Sequence, residues 1–399
     1  MENNTLYEGD VVYSEEEDTS LNWAEYNISV APNDFNISTI VSLIDAGVVK
    51  IPGFQRNYVW DKKRASKLIE SLIIGVPIPQ IFLYEEKKNS FLVIDGQQRL
   101  MSIFFFKKKR FPRKDIRGEL RQIINSNSTA LTISDDILYN NEYFEDFNLS
   151  LPESLPNHPN PLNKKNYSTL DDDIRISFDL KTIRNIIIKQ SSPDDGDSVM
   201  YEIFNRLNSG GVNLQPQEIR TCMYHSDFYN MLYEINQNHG WRQLLSNPKP
   251  DVHMKDVEIL LRGFAMLLSS DSYKPSMTKF LNNFSNEAKT FSTEQITYLR
   301  NIFISFVDYV CENLPNDIFM GTKRKFNISM FESIFTAICS KARDEHSLEI
   351  SHITNEALQN LKADRDFNDA SLQSAASAFN VKTRIRLAKQ HLIGRDDMY

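Results

Sequence analysis

The spacing of apolar positions changes along the chain, and each change predicts a different element. STIVSLIDAGVV predicts a short helix, with ordered structure starting near Ile37. In DKKRASKLIESLIIG, Ala65, Leu68, Ile69, Leu72 and Ile73 recur at the spacing of one helical face. Asp61 suits the cap of that helix, and Gly75 followed by Pro77 suits its end. IFLY and FLVI, separated by EEKKNS, predict two short strands joined by a turn. RISFDL and RNIIIKQ predict a second strand pair. DDGDSVMYEIFNRLNSGG then predicts a capped helix, with Val199, Met200, Ile203, Phe204 and Leu207 inward and Gly210 and Gly211 at its stop. QPQEIRTCMYHSDFYNMLYEI opens another helix with Pro216 in its first turn. Beyond about residue 225 the periodic segments are helical: VEILLRGFAMLL, ITYLRNIFISFVDYVCENL, FESIFTAICSKA and RIRLAKQHLIG.

These elements predict an α+β fold class, with a mixed domain over residues 34–225 and an all-helical domain over 226–399. Residues 1–33, acidic and polar, are expected to form a partly ordered arm. Residues 124–172, rich in Asn, Ser, Pro and Asp, are expected to form a loop-rich insertion. A chain of 399 residues with 41% hydrophobic content can bury the cores of two such domains.

A net charge of −8 argues against indiscriminate coating of nucleic acid. The strongest local basic stretch is KKKRFPRKDIR, with Lys107, Lys108, Lys109, Arg110, Arg113, Lys114 and Arg117. It suits a solvated helix end, where cations favour the macrodipole, and equally a patch contacting DNA phosphates. Cys222, Cys311 and Cys339 are far apart, and each sits in an apolar, helical-looking stretch, so core packing is expected. No window approaches a membrane span, and the start MENNTLYEGD lacks the regions of a signal peptide, so a cytoplasmic protein without membrane association is expected.

Three polar clusters carry candidate chemistry. In FLVIDGQQRL, Asp95 and Gly96 stand between a strand and a helix, and Gln97, Gln98 and Arg99 occupy the first turn. A first turn presents unpaired N–H groups, and an arginine adds a fork suited to phosphate. The same residues suit an ordinary strand-to-helix turn with Asp95 as the cap. In FQRNYVW, Gln55, Arg56 and Tyr58 alternate with Phe54, Val59 and Trp60, which fits a purine and its phosphates or a packed irregular strand. In FNRLNSGG, Asn205, Arg206, Asn208 and Ser209 crowd a helix end, which capping alone explains and which also fits a wall of the same pocket.

IPGFQRNYVW, SLIIGVPIPQIFLY, VIDGQQRL and IFNRLNSGGVNLQPQEIR, in that order, resemble the N-terminal domain of the GmrSD-type modification-dependent restriction systems, a bacterial group carrying a DGQQR signature. The resemblance covers roughly residues 35 to 225. That domain is similar in fold to the ParB and sulfiredoxin superfamily. The resemblance implies binding of a nucleoside triphosphate (GTP, ATP or CTP), with hydrolysis in some relatives, in antiphage defence that controls a nuclease. It carries over to Gln55, Arg56 and Tyr58, to Asp95, Gly96, Gln97, Gln98 and Arg99, and to Asn205, Arg206 and Asn208. Within it, Arg56 and Arg99 are expected on phosphate charge, Gln55 or Gln98 on an attacking water, and Asp95 at the turn or on Mg2+. The expected partner is a separately encoded nuclease or toxin effector, and a homo-oligomer is compatible with this scheme. Longer relatives carry an HNH-type nuclease domain. Here only LEISHITNEA, with Glu349 and His352, resembles the start of such a motif, without its proline and later Asn and His partners. Arg386 and His391 have the R-x4-H spacing of HEPN-type ribonucleases, a spacing that a basic helix end also produces. The alternative function is that the chain itself cleaves DNA, or recognises it as a subunit of a restriction system.

Overall fold

The computed structural model describes residues 7–8, 27–51, 58–114, 133–153, 159–192, 203, 215–251, 253–321, 324–372 and 374–393. The chain divides into two units, Asn22–Leu214 and Gln215–Tyr399, and Met1–Leu21 group with the second. The architecture is α+β, with a sheet in the first unit and helices throughout the second.

The residues expected to be an arm contribute two strands, β1 (Tyr7–Glu8) in the helical unit and β2 (Asn27–Asn36) in the sheet. Helix α1 (Ile37–Asp45) follows directly, its first turn capped by Asn36, which accepts from the Thr39 N–H at 2.7 Å. Next come β3 (Val49–Lys50), α2 (Lys62–Ile74), β4 (Ile81–Lys87), β5 (Ser90–Asp95), α3 (Gln97–Lys108) and β6 (Arg110–Pro112). After them lie α4 (Asp135–Leu138), β7 (Phe144–Asp146), α5 (Asp172–Leu180) and β8 (Thr182–Ser192). The sheet order is β2-β8-β4-β5-β3, with β8 and β4 parallel and β4 and β5 antiparallel. Strand β2 pairs antiparallel with β8 along its whole length. Most β2 side chains stay exposed, so no apolar alternation announces it, and its hydrogen-bond partners lie about 150 residues away. RISFDL alternates like a strand yet lies within α5. Asp172 and Asp173 favour the start of that helix, and Phe178 alone is buried, while Ile176 and Leu180 are 56% and 64% exposed.

The described parts of the 124–172 region are loop-rich but build core. Phe144, Phe147, Leu149, Leu151, Leu162 and Leu170 join Phe105, Phe106 and Phe111 of α3 and β6 in one buried cluster. Phe111 meets Phe147 edge-on at 4.7 Å, and β6 pairs with β7.

The helical unit comprises α6 (Pro216–Met223), α7 (Asp227–Ile235), α8 (His239–Leu244), α9 (Lys255–Ser269), α10 (Met277–Ala288), α11 (Thr293–Asn313), strand β9 (Phe326–Asn327), α12 (Ile328–Glu345), α13 (Asn355–Ala363), α14 (Arg365–Leu372) and α15 (Ala378–Leu392). The helix expected to run on from Pro216 ends at Met223, and α7 restarts at Asp227. Strand β1 pairs parallel with β9, and the Tyr7 ring meets Phe326 edge-on at 6.3 Å. At the centre of the unit, Glu332 of α12 holds Arg262 of α9 and Arg384 of α15, all three fully buried. Cys339 is buried and Cys311 half-buried, both as free thiols; burial raises both thiol pKa values. Among the described residues no helix is long and apolar enough to cross a membrane.

Candidate phosphate-binding corner

Strand β5 runs LVID into Gly96, which adopts φ +94°, and α3 begins at the next residue. That dihedral favours glycine, and a Cβ there would stand 2.8 Å from Ile81 Cγ1. The helix has no side-chain cap. Leu100 N–H closes the first intrahelical bond onto the Gly96 carbonyl at 2.9 Å, so the N–H groups of Gln97, Gln98 and Arg99 precede the ladder. Asp95 does not cap them. Its Oδ2 accepts from Arg99 Nη2 at 2.6 Å, one helical turn on. Arg99 Nη1 also donates to the backbone carbonyls of Pro79 and Gln80, the latter at 3.2 Å, so the guanidinium spans β5, α3 and the residues entering β4.

The glutamines divide between core and surface. Gln97 is buried, and its Nε2 donates to the Val93 carbonyl at 3.3 Å. Gln98 Oε1 accepts from the backbone N–H groups of Val59 and Trp60 at 3.1 and 3.3 Å, fastening the segment before α2 to the start of α3. Tyr58 is not in the corner. It is buried, packs edge-on against Phe105 and Phe111, and its hydroxyl lies 2.7 Å from Ser102 Oγ, which itself donates to the Gln98 carbonyl. A phenol enclosed in this way packs the helix layer rather than meeting a ligand. The structure therefore brings Asp95, Gly96, Gln97, Gln98 and Arg99 together, with Val59 and Trp60 alongside. Gln55, Arg56, Asn205, Arg206 and Asn208 lie outside the described residues.

The basic stretch is largely engaged within the fold. Lys107 pairs with Asp179 at 2.7 Å, Lys108 with Asp45 at 2.9 Å, and buried Arg110 with Asp146 at 3.1 Å. Arg110 also donates to the Leu138 and Phe144 carbonyls and to Asn141, and Arg113 to the Asn141 carbonyl. Lys109, Arg113 and Lys114 are the exposed cations among the described residues of this stretch, and Arg117 lies outside the described residues. As a DNA-contacting face the stretch is thus half neutralised: Lys107, Lys108 and Arg110 face acids that the linear sequence does not place beside them, whereas Lys109, Arg113 and Lys114 meet no acid among the described residues.

A surface that the candidate residues did not include lies on α2. Lys63, Arg64 and Lys67 are exposed there, and the Arg64 guanidinium stacks over the Trp60 ring at 4.5 Å. The signal was present in the sequence: the spacing that puts Ala65, Leu68, Ile69 and Leu72 inward puts these three cations outward.

Residues 37–225 match the model of the GmrSD restriction endonuclease N-terminal domain. This segment, just under half of the chain, is similar to that domain. No curated protein and no solved structure matches the chain. The GmrSD N-terminal domain match takes in the sheet from α1 through β8, the Gly96 corner and α2, and ends within the first helices of the second unit.

In the helical unit, the features resembling nuclease motifs are accounted for by packing. A groove of about 400 Å³ is lined by Tyr309, Lys341, Glu349 and His352. The His352 ring stacks on Tyr309 at 4.6 Å, and the Tyr309 hydroxyl is held between the N–H and carbonyl of Ile353. Arg386 donates to Gln390, whereas His391 meets Asp364 at 2.9 Å, so the two residues of the R-x4-H spacing serve separate contacts. Among the described residues no group of three or more His, Cys, Asp or Glu could hold a metal ion.

Proposed function

We propose that this chain is a component of a restriction-type antiphage defence system, in which the β5–Gly96–α3 corner binds the phosphates of a nucleoside triphosphate and so regulates a separately encoded nuclease. The observation that carries the reading is the uncapped start of α3 behind a left-handed glycine, with Arg99 fixed beside it. Such a start offers backbone donors and the positive end of the helix dipole to an anion. Arg99 is neutralised by Asp95, so the backbone amides would supply the first contact and Arg99 would orient the turn. The resemblance to the ParB and sulfiredoxin superfamily, whose arginine-containing turn binds nucleotide phosphates, favours the same reading. Asp95 is one carboxylate already held by Arg99, which suits Mg2+ only when phosphate oxygens complete the shell.

A titration of purified protein with GTP, ATP and CTP, each with and without magnesium, tests the reading. Saturable uptake that Gly96→Ala weakens at least tenfold is expected, with phosphate release if turnover follows. No uptake of any of the three sinks it. A second reading, DNA cleavage by this chain, is favoured by the family description itself. Under that reading metal-dependent nicking of DNA survives Gly96→Ala.

A further inference from the structure

We propose that the outward face of α2 binds the phosphate backbone of double-stranded DNA through Lys63, Arg64 and Lys67, with Trp60 and Val59 at the end of the footprint. One turn takes 3.6 residues, so these cations fall within an arc of about 100° on the side opposite Leu68, Ile69 and Leu72. Lys63 and Lys67 are separated by about 6 Å along the axis, close to two phosphate steps of about 3.4 Å along one strand of a duplex.

None of the three cations meets a carboxylate among the described residues, and the acids around the helix are engaged elsewhere. Asp61 caps the first turn through Arg64 N–H at 2.7 Å. Glu145 pairs with Lys62 at 2.5 Å, Asp146 with Arg110, and Glu70 accepts from Asn160 at 2.5 Å. The face therefore carries an unbalanced positive charge on a chain whose total is −8. Arg64 stacked on Trp60 presents its guanidinium at fixed height, and Val59, 59% exposed, adds an apolar contact for a sugar edge. Gln98 ties the backbone of Val59 and Trp60 to α3, so the footprint adjoins the corner.

DNA is chosen over other polyanions on the restriction reading of the family, and the proposal does not depend on nucleotide binding. Anisotropy of a labelled 20-base-pair duplex, measured with the full chain from 50 to 300 mM salt, tests it. Each phosphate contact contributes roughly 0.9 to the slope of log K against log salt, so the triple variant K63A/R64A/K67A is expected to lower that slope by about 2 to 3. K63E/K67E, which keeps the Arg64 stack, is expected to weaken binding more than tenfold at the lowest salt. K382A/K389A on α15 leaves the slope unchanged. A parent protein that ignores duplex, that binds anionic vesicles or single-stranded RNA in its place, or whose slope survives the triple substitution overturns the proposal. Triphosphate uptake measured on the same variants separates this outcome from the fate of the corner.

Discussion

Removing Arg99 tests how the corner is held. In α3 the guanidinium sits in the first turn, where the helix dipole disfavours a cation, and Asp95 immediately before it reverses that penalty. Arg99→Ala removes a 2.6 Å charge-assisted contact and two bonds to carbonyls at the entry to β4. The contact between the two charged groups contributes about 1.5 to 3 kcal/mol, and counting the two bonds to carbonyls at about 1 each the total would be roughly 3.5 to 5 kcal/mol in the interior. Arg99 is 13% exposed and Asp95 39% exposed, so screening reduces the expected loss to about 2 kcal/mol. A double-mutant cycle with Asp95→Ala isolates the pair, and urea unfolding followed by tryptophan fluorescence reads it. A coupling of about 1 kcal/mol is expected. A coupling below about 0.3 kcal/mol would show that the two groups do not hold each other in solution.

Gly96→Ala places a methyl group 2.8 Å from Ile81 in a left-handed backbone, and the strain plus overpacking should cost about 2 to 5 kcal/mol in the same urea assay; a loss under 1 would refute the turn geometry. Glu332→Ala strands two buried guanidinium groups and is expected to destabilise the helical unit by about 3 to 5 kcal/mol, whereas an apolar replacement of Arg262, Glu332 and Arg384 together should come close to neutral by thermal melting. Burial opposes the charge on Glu258, but Lys255, Arg220 and Arg262 outweigh it and bring its pKa to about 2 from 4.5. That contribution, about 3 kcal/mol, is complete above the unfolded value and is lost as pH falls from 4.5 towards 2, so Glu258→Gln should flatten the acid limb of a stability-against-pH curve; an unchanged limb contradicts it. Tyr58→Phe keeps the ring contacts and loses the bond to Ser102, with an expected cost near 1 kcal/mol in urea; a loss of triphosphate uptake without any change in stability would return Tyr58 to the ligand site.

What the sequence determined by itself were the features that neighbouring residues decide. The caps at Asp61 and Gly75, the inward face of α2, the β4–β5 hairpin, the turn at Gly96 and the helical second half are all set by contacts within a few residues, and all were legible. The tertiary structure decided whatever depends on distant partners. Strand β2 exists because β8 pairs with it, and β1 because β9 does. RISFDL alternates as a strand should, yet becomes a helix with two of its apolar side chains in solvent. The same distinction separates the charges. Lys107, Lys108 and Arg110 belong to the densest basic run in the chain, and acids from three other elements neutralise them, leaving Lys109 exposed within it. Lys63, Arg64 and Lys67 are less conspicuous in sequence and keep their charge, because a cation's availability is set by which acids the fold brings within reach.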